Sequence, residues 1–150
     1  MRNPGYYRSP TLWGDKVVFV ADDDLWQVPL QGGKAERLTS GIGEASDPVF
    51  SPDGQWIAFT GTSEGHPEVY LMPSCGGEAK RLTYISEGAS VVGWKNKNEV
   101  IFSSTKNHPF RLRTLYTLHL NSEKVEPIPC GPANFISFDP QGSGMVIQRH

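Results

Sequence analysis

Three successive carboxylates, Asp22, Asp23 and Asp24, form the densest group of potential ligands in the sequence, and clustered carboxylates suit hard cations. The run lacks the glycine and the distant glutamate of a calcium loop, and it falls where an apolar segment gives way to an alternating one. It therefore reads as a turn rather than a metal site. His66-Pro67 and His108-Pro109 occupy corresponding places after Phe59 and Phe102. Paired histidines on one rim would suit ligation or a pH-sensitive contact, but here the prolines set the loop geometry and the histidines read as solvated neighbours. Cys75 and Cys130 are the only cysteines. They stand in no CxxC or Cys/His cluster, so no disulfide framework or zinc site is indicated, and two unpaired structural thiols fit a reducing compartment. No GxSxG elbow, HExxH, Walker loop or Rossmann glycine pattern occurs, and no serine has a repeated histidine partner. The expectation is that the chain supplies no catalytic residue, binds no cofactor and holds no metal.

Composition narrows the partners. The chain has 150 residues and a net charge of −2, enough length to bury a core. A nucleic-acid or anionic-membrane surface is poorly supported. The opening "MRNPGYYRSPTLWGD" has no apolar h-region, and the longest apolar run is five residues, Val17 to Ala21. Neither a secretory signal nor a membrane span is expected.

The elements that position these residues come from a repeat. "GGKAERLT" (32–39) returns as "GGEAKRLT" (76–83) after 44 residues. Their flanks fall into register: the apolar runs holding Phe19, Phe59 and Phe102 are followed by alternating segments "DLWQVPL" (24–30), "EVYLMPS" (68–74) and "TLYTLHL" (114–120), with Trp26, Tyr70 and Tyr116 in one slot. A fourth run begins at Met145. Period-2 alternation with β-branched and aromatic residues says strand. Each apolar run is preceded by a short strand and a turn, as in "DPVFSPDG" (47–54), "VVGWKNKN" (91–98) and "FISFDPQG" (135–142). In Ser51-Pro52-Asp53-Gly54, proline presets φ for a type I turn and glycine follows. The unit is four antiparallel strands in roughly 40 to 45 residues, which points to a β-propeller blade.

The fold expected is all-β: about three and a half four-stranded blades of a propeller, at approximately 6–39, 45–83, 89–129 and 133–150. The octet is then a Gly-Gly turn plus a blade's fourth strand, with positive φ at Gly33 and Gly77 and Leu38 and Leu82 packed between blades. Trp13, Trp26, Trp56 and Trp94 read as core packing before they read as a peptide-binding surface. Glu36-Arg37 and Lys80-Arg81 read as the solvated face of outer strands, which also discourages edge-to-edge pairing. Propellers close with about four to eight blades, so two apolar faces and a sheet edge await partners. The chain is expected to be the N-terminal part of a longer protein, or to associate with copies of itself.

The segment 47–83 resembles the propeller repeat shared by TolB, the prolyl oligopeptidase relatives and the tricorn proteases. Segments 14–54, with its "DDLW", then 91–104, 109–116 and 131–142, with its "GPAN", are similar to the start of the tricorn protease family. The "KNKN" at 95–98 departs from it, standing where an SPDG-like turn belongs. The resemblance implies a cytosolic, homo-oligomeric serine peptidase. In such an enzyme a first, six-bladed propeller precedes a seven-bladed one, a PDZ-like domain and a catalytic core, and the propellers pass peptides along their axes. It places no catalytic residue here. The rival reading is a TolB-like protein-interaction propeller, which would begin with a signal sequence; a third is the propeller lid of a prolyl oligopeptidase relative.

Overall fold

The computed structural model describes residues 6–149, so the opening five residues of the N-terminal reading and His150 at the end of the fourth blade lie outside the described part. Among the described residues there are fourteen strands and no helix. Sheet one comprises β1 (Arg8–Trp13), β2 (Lys16–Ala21), β3 (Asp24–Pro29) and β4 (Glu36–Arg37). Sheet two repeats it with β5 (Ala45–Phe50), β6 (Trp56–Gly61), β7 (Glu68–Pro73) and β8 (Lys80–Arg81). Sheet three holds β9 (Ser90–Asn96), β10 (Glu99–Ser104), β11 (Thr114–His119) and β12 (Val125–Pro132), and a two-stranded fourth pairs β13 (Phe135–Phe138) with β14 (Met145–Gln148). Each four-stranded sheet runs in simple sequence order, every pair antiparallel. This is the meander of a propeller blade, three times over and begun a fourth.

A blade is sandwiched between neighbours, so its second strand is apolar on both faces, which explains the continuous runs. In β6, Ile57, Ala58 and Phe59 are all fully buried. Odd and even positions then serve different interfaces. Val18, Val20 and Leu25 of blade one pack with Ile57, Phe59, Tyr70 and Met72 of blade two, and Leu38 joins them. Ala58 and Val69 pack with Val100, Phe102, Tyr116 and Leu118, with Leu82 alongside. Ile101 and Leu115 meet Ala133 and Ile136. The phenylalanine slot stacks on the aromatic slot next to it in Phe59–Tyr70, at 5.6 Å between ring centroids, and in Phe102–Tyr116, at 5.4 Å.

Blades are also stitched through the backbone. Ala45, Ala89 and Ala133 recur every 44 residues, and their amides donate to the carbonyls of Asp23, Pro67 and Arg113 in the preceding blade, at 2.8, 2.6 and 3.0 Å. Alanine suits these buried points because a larger side chain would push the inner strand away.

The SPDG turn forms as expected. Gly54 N–H donates to Ser51 C=O at 2.8 Å, and Gly54 has φ +69°, with any Cβ there 2.2 Å from the Trp13 ring. The Ser51 hydroxyl and the Gln55 amide both donate to Asp53 Oδ1, and these bonds, in that order, hold the Asp53 carboxyl below its ordinary range. At the KNKN departure, Asn96 Oδ1 accepts from Asn98 N–H at 2.9 Å, so an asparagine side chain shapes the turn instead.

Several expectations change. The fourth strands of the first two blades are only two residues long. The tryptophans divide: Trp13 and Trp56 are 41% and 39% exposed, half-buried Trp94 packs against the core between blades two and three as expected, and Trp26 and Trp94 satisfy their indole N–H on Ala21 C=O and Val49 C=O. These indoles join polar stitching to packing. Both cysteines are unpaired, and Cys75 lies on the surface rather than in a structural interior.

Candidate functional site

The inner strands β1, β5, β9 and β13 converge on a cleft of about 480 Å³ along the propeller axis. Bulges shape its first two walls. The registers of β1 and β5 slip between Arg8 and Thr11 and between Ser46 and Val49, and Ser9 and Asp47 take φ of +50° and +51° just before a proline. A bulge re-aims side chains, and Ser9 and Asp47 both line the cleft.

Asp47 Oδ2 accepts from the hydroxyls of Ser46 at 3.1 Å and Thr60 at 3.3 Å. Thr60 Oγ1 in turn accepts from Val91 N–H of blade three at 2.9 Å, tying the carboxylate to the blade interface. On the blade-three side Arg113 Nη1 donates to Ser103 Oγ at 2.9 Å. Val49, Val91, Val92 and Phe135 supply apolar wall. No histidine or cysteine is among the lining residues; the one carboxylate there, Asp47, is held by the Ser46 and Thr60 hydroxyls. This arrangement can hold a chain that presents alternating polar and apolar groups.

The residues singled out from the sequence fall elsewhere. Asp22 and Asp23 form the two-residue turn, with φ of +48° and +64°, and Asp23 Oδ1 meets Arg8 Nη2 at 3.3 Å. Among the described residues no group of three or more His, Cys, Asp and Glu is placed to hold a metal ion. His66 is exposed. His108 is no mere solvated neighbour: its Nδ1 accepts from the amides of Phe110 at 3.3 Å and Leu112 at 3.4 Å, so it shapes its own loop.

The largest correction concerns Arg37 and Arg81. They are partners of buried acids, not simply solvated outer-strand charges. Glu68, at the head of β7, is 2% exposed; it accepts from Arg81 Nη2 at 3.2 Å, from Ile85 N–H at 2.6 Å and from the Thr83 hydroxyl. Thr83 Oγ1 also accepts from Val69 N–H at 2.9 Å, and Arg81 Nε donates to Thr83 C=O at 2.8 Å. Blade one repeats the set. Asp24 accepts from Arg37 and from Thr39 Oγ1, Thr39 Oγ1 accepts from Leu25 N–H at 3.0 Å, and Arg37 Nε donates to Thr39 C=O at 2.9 Å. The "RLT" of the octet is thus a fastener that locks a two-residue strand to its sheet. The signal was in the spacing: both acids precede their arginine by 13 residues and their threonine by 15.

Comparison with known proteins follows the same architecture. Residues 4–150 match the family described as "Tricorn protease N-terminal beta propeller domain". The chain is 36% identical over 140 residues to tricorn protease homolog 1 of Streptomyces coelicolor, covering 93% of this chain and 12% of that protein. It is 34% identical over 151 residues to a protein of Sulfurisphaera tokodaii named as a tricorn-like protease N-terminal subunit, covering 97% of this chain and 75% of that one. Among solved structures, a crystal structure of the tricorn protease superposes with TM-score 0.80 at 30% identity, over 92% of this chain and 15% of that one. A TolB from Agrobacterium tumefaciens superposes with TM-score 0.81 at 19% identity, over 93% of this chain and 52% of that one, a likeness of fold. The chain therefore spans about an eighth of the first of these relatives and three quarters of the second.

Proposed function

Because this chain belongs to the tricorn protease N-terminal β-propeller family, we propose that it forms the opening blades of a six-bladed propeller that gates peptide passage for a serine peptidase. The peptide-cleaving core is carried elsewhere in the assembled protein, which is cytosolic and oligomeric. The observation that carries this reading is the axial cleft, walled by serines, valines, Asp47 and Arg113. Its chemistry suits contact with a moving peptide, and the chain contributes wall and scaffold rather than bond breaking. Nucleic acid and membrane are not partners on this reading, consistent with a net charge of −2.

Ring closure defines the protein partners. Val17, Phe19 and Val28 occupy in blade one the slots of Ile57, Phe59 and Met72 in blade two, and they line an apolar hollow with Tyr7 and Pro10. In blade two those slots are covered by the preceding blade. The last blade of the ring covers them in the assembled protein.

The experiment is a narrowing of the axis in the assembled peptidase. Ser90→Trp adds bulk to the cleft wall without touching a peptidase core. Turnover of a long unstructured peptide is expected to fall while a tripeptide-sized substrate is cleaved at the original rate. Equal rates on both substrates before and after substitution would overturn the gating role. Absence of any hydrolysis by the assembled protein would return the chain to the binding-propeller class.

A further inference from the structure

A histidine is gripped on both sides at the end of blade three that carries the Lys97-Asn98 turn. His119, the last residue of β11, has Nδ1 3.1 Å from Glu99 Oε1 of β10 and Nε2 3.0 Å from Glu126 Oε2 of β12. Lysines back both carboxylates: Lys95 Nζ is 3.8 Å from Glu99 Oε2, and Lys124 Nζ is 2.6 Å from Glu126 Oε1. A neutral imidazole has one N–H and one bare nitrogen, so it donates to one carboxylate and turns a lone pair on the other. Both contacts are donations only when the ring carries a proton on each nitrogen, as the imidazolium.

The position is one where blade three departs from its predecessors. His119 pairs with Glu99 in the ladder slot where Pro29 pairs with Lys16 and Pro73 with Trp56. In blades one and two a Gly-Gly turn follows that slot and the acid, arginine and threonine fastener holds the outer strand. Blade three has Thr114 where Asp24 and Glu68 stand. Its outer strand β12 contains Pro127 and Pro129, which have no N–H to give the ladder, and its register slips between Thr114 and Tyr116.

We infer that His119 is a proton-dependent clasp, which in its imidazolium form pins the start of β12 to β10 and β11 and takes the place of the fastener used by the first two blades. Glu99 and Lys95 face it from the inner side, and Glu126 and Lys124 from the outer side. The adjoining cleft of about 350 Å³ is completed from the fourth sheet by Phe138 and Met145, which bring no charge. Both donations need a proton on each ring nitrogen, so loss of either proton breaks one of them. At the far acid end the limit is Glu126. Hydrogen bonds first from Lys124 and then from His119 hold its carboxyl below the ordinary range, so its contribution is lost as pH falls through that lowered value. The clasp is closed while both ring nitrogens carry protons and opens when base removes one. It stands independently of the axial reading.

Hydrogen exchange with mass-spectrometric readout on the full-length protein tests it, comparing the peptide 121–132 with 99–104 as internal reference, each corrected for the chemical exchange rate. As pH is raised from about 6 to about 8.5, protection of 121–132 should fall roughly three- to tenfold, the scale of one partly exposed charge-assisted hydrogen bond. His119→Gln should show low protection at both pH values with no slope, while 99–104 keeps its wild-type protection. Glu126→Gln, which leaves His119 bonded to Glu99, should likewise flatten the slope of 121–132. A flat wild-type profile, or an unchanged slope in either variant, would overturn the clasp.

Discussion

Blade two holds its outermost strand with two ladder residues and a buried acid, whereas blade three spreads eight residues along its edge and puts Thr114 where the acid stands. The short strand is the one with the deeper anchor. Glu68 gathers an arginine, a threonine hydroxyl and a backbone amide into the interior, so two residues of ladder suffice. The long strand relies on length and on contacts half open to water, with Glu126 about half exposed. Sequence repeats in this chain therefore track how an edge is fastened more closely than how long the edge is. The repeated octet is a closure device.

The comparison breaks most visibly at Glu68. Glu68→Ala leaves Arg81, whose side chain is only 18% exposed, with just the exposed Glu64 at 3.5 Å, and should cost about 3 kcal/mol, the low end for breaking a buried pair. Urea unfolding followed by tryptophan fluorescence checks this. The corresponding Thr114→Ala in blade three should cost less than about 1 kcal/mol, since Thr114 is only part-buried. Equal losses would erase the contrast between the blades.

Two turn glycines sharpen it next. Gly54→Ala forces a Cβ to within 2.2 Å of the Trp13 ring at φ +69° and should cost roughly 2–3 kcal/mol. Gly142→Ala, at φ +72° with open space around it, should cost only about 1 kcal/mol. Thermal denaturation of the pair separates steric from backbone cost. Thr83→Val removes the hydroxyl that bridges Glu68 and Val69 N–H; a loss of about 1–3 kcal/mol is expected from the unsatisfied buried groups.

The smallest effect is electrostatic. Ser51 is the first cause of the lowered Asp53 carboxyl. Ser51→Ala should therefore move the Asp53 titration upward, toward the ordinary carboxylate value, as followed by carboxyl carbon shifts in NMR. Because the folded value is depressed, this group's contribution is present above the ordinary carboxylate range and is lost as pH falls through the lowered value. An unmoved titration would show that the turn amides alone set it.

Much of the fold was legible because a blade's two faces make its second strand continuously apolar and its third strand alternating, a pattern that recurs with Phe19, Phe59 and Phe102. The turn residues Gly54 and Gly77 were legible through the φ they must adopt. The fastener was not, because period-2 reasoning sends Arg37 and Arg81 outward. It assumes a regular strand, and β4 and β8 end after two residues, which frees Thr39 and Thr83 to turn inward onto the acids. The axial cleft was equally hidden. It depends on bulges at Ser9 and Asp47, and no period announces a bulge.

The most direct test of the repeat as a fastener is a double-mutant cycle between Glu68→Gln and Arg81→Met, read by urea unfolding. A coupling of about 1–3 kcal/mol is predicted for residues in one buried network. Additivity within about 0.5 kcal/mol, the behaviour of independent sites, would contradict the account and leave the repeated octet without its structural cause.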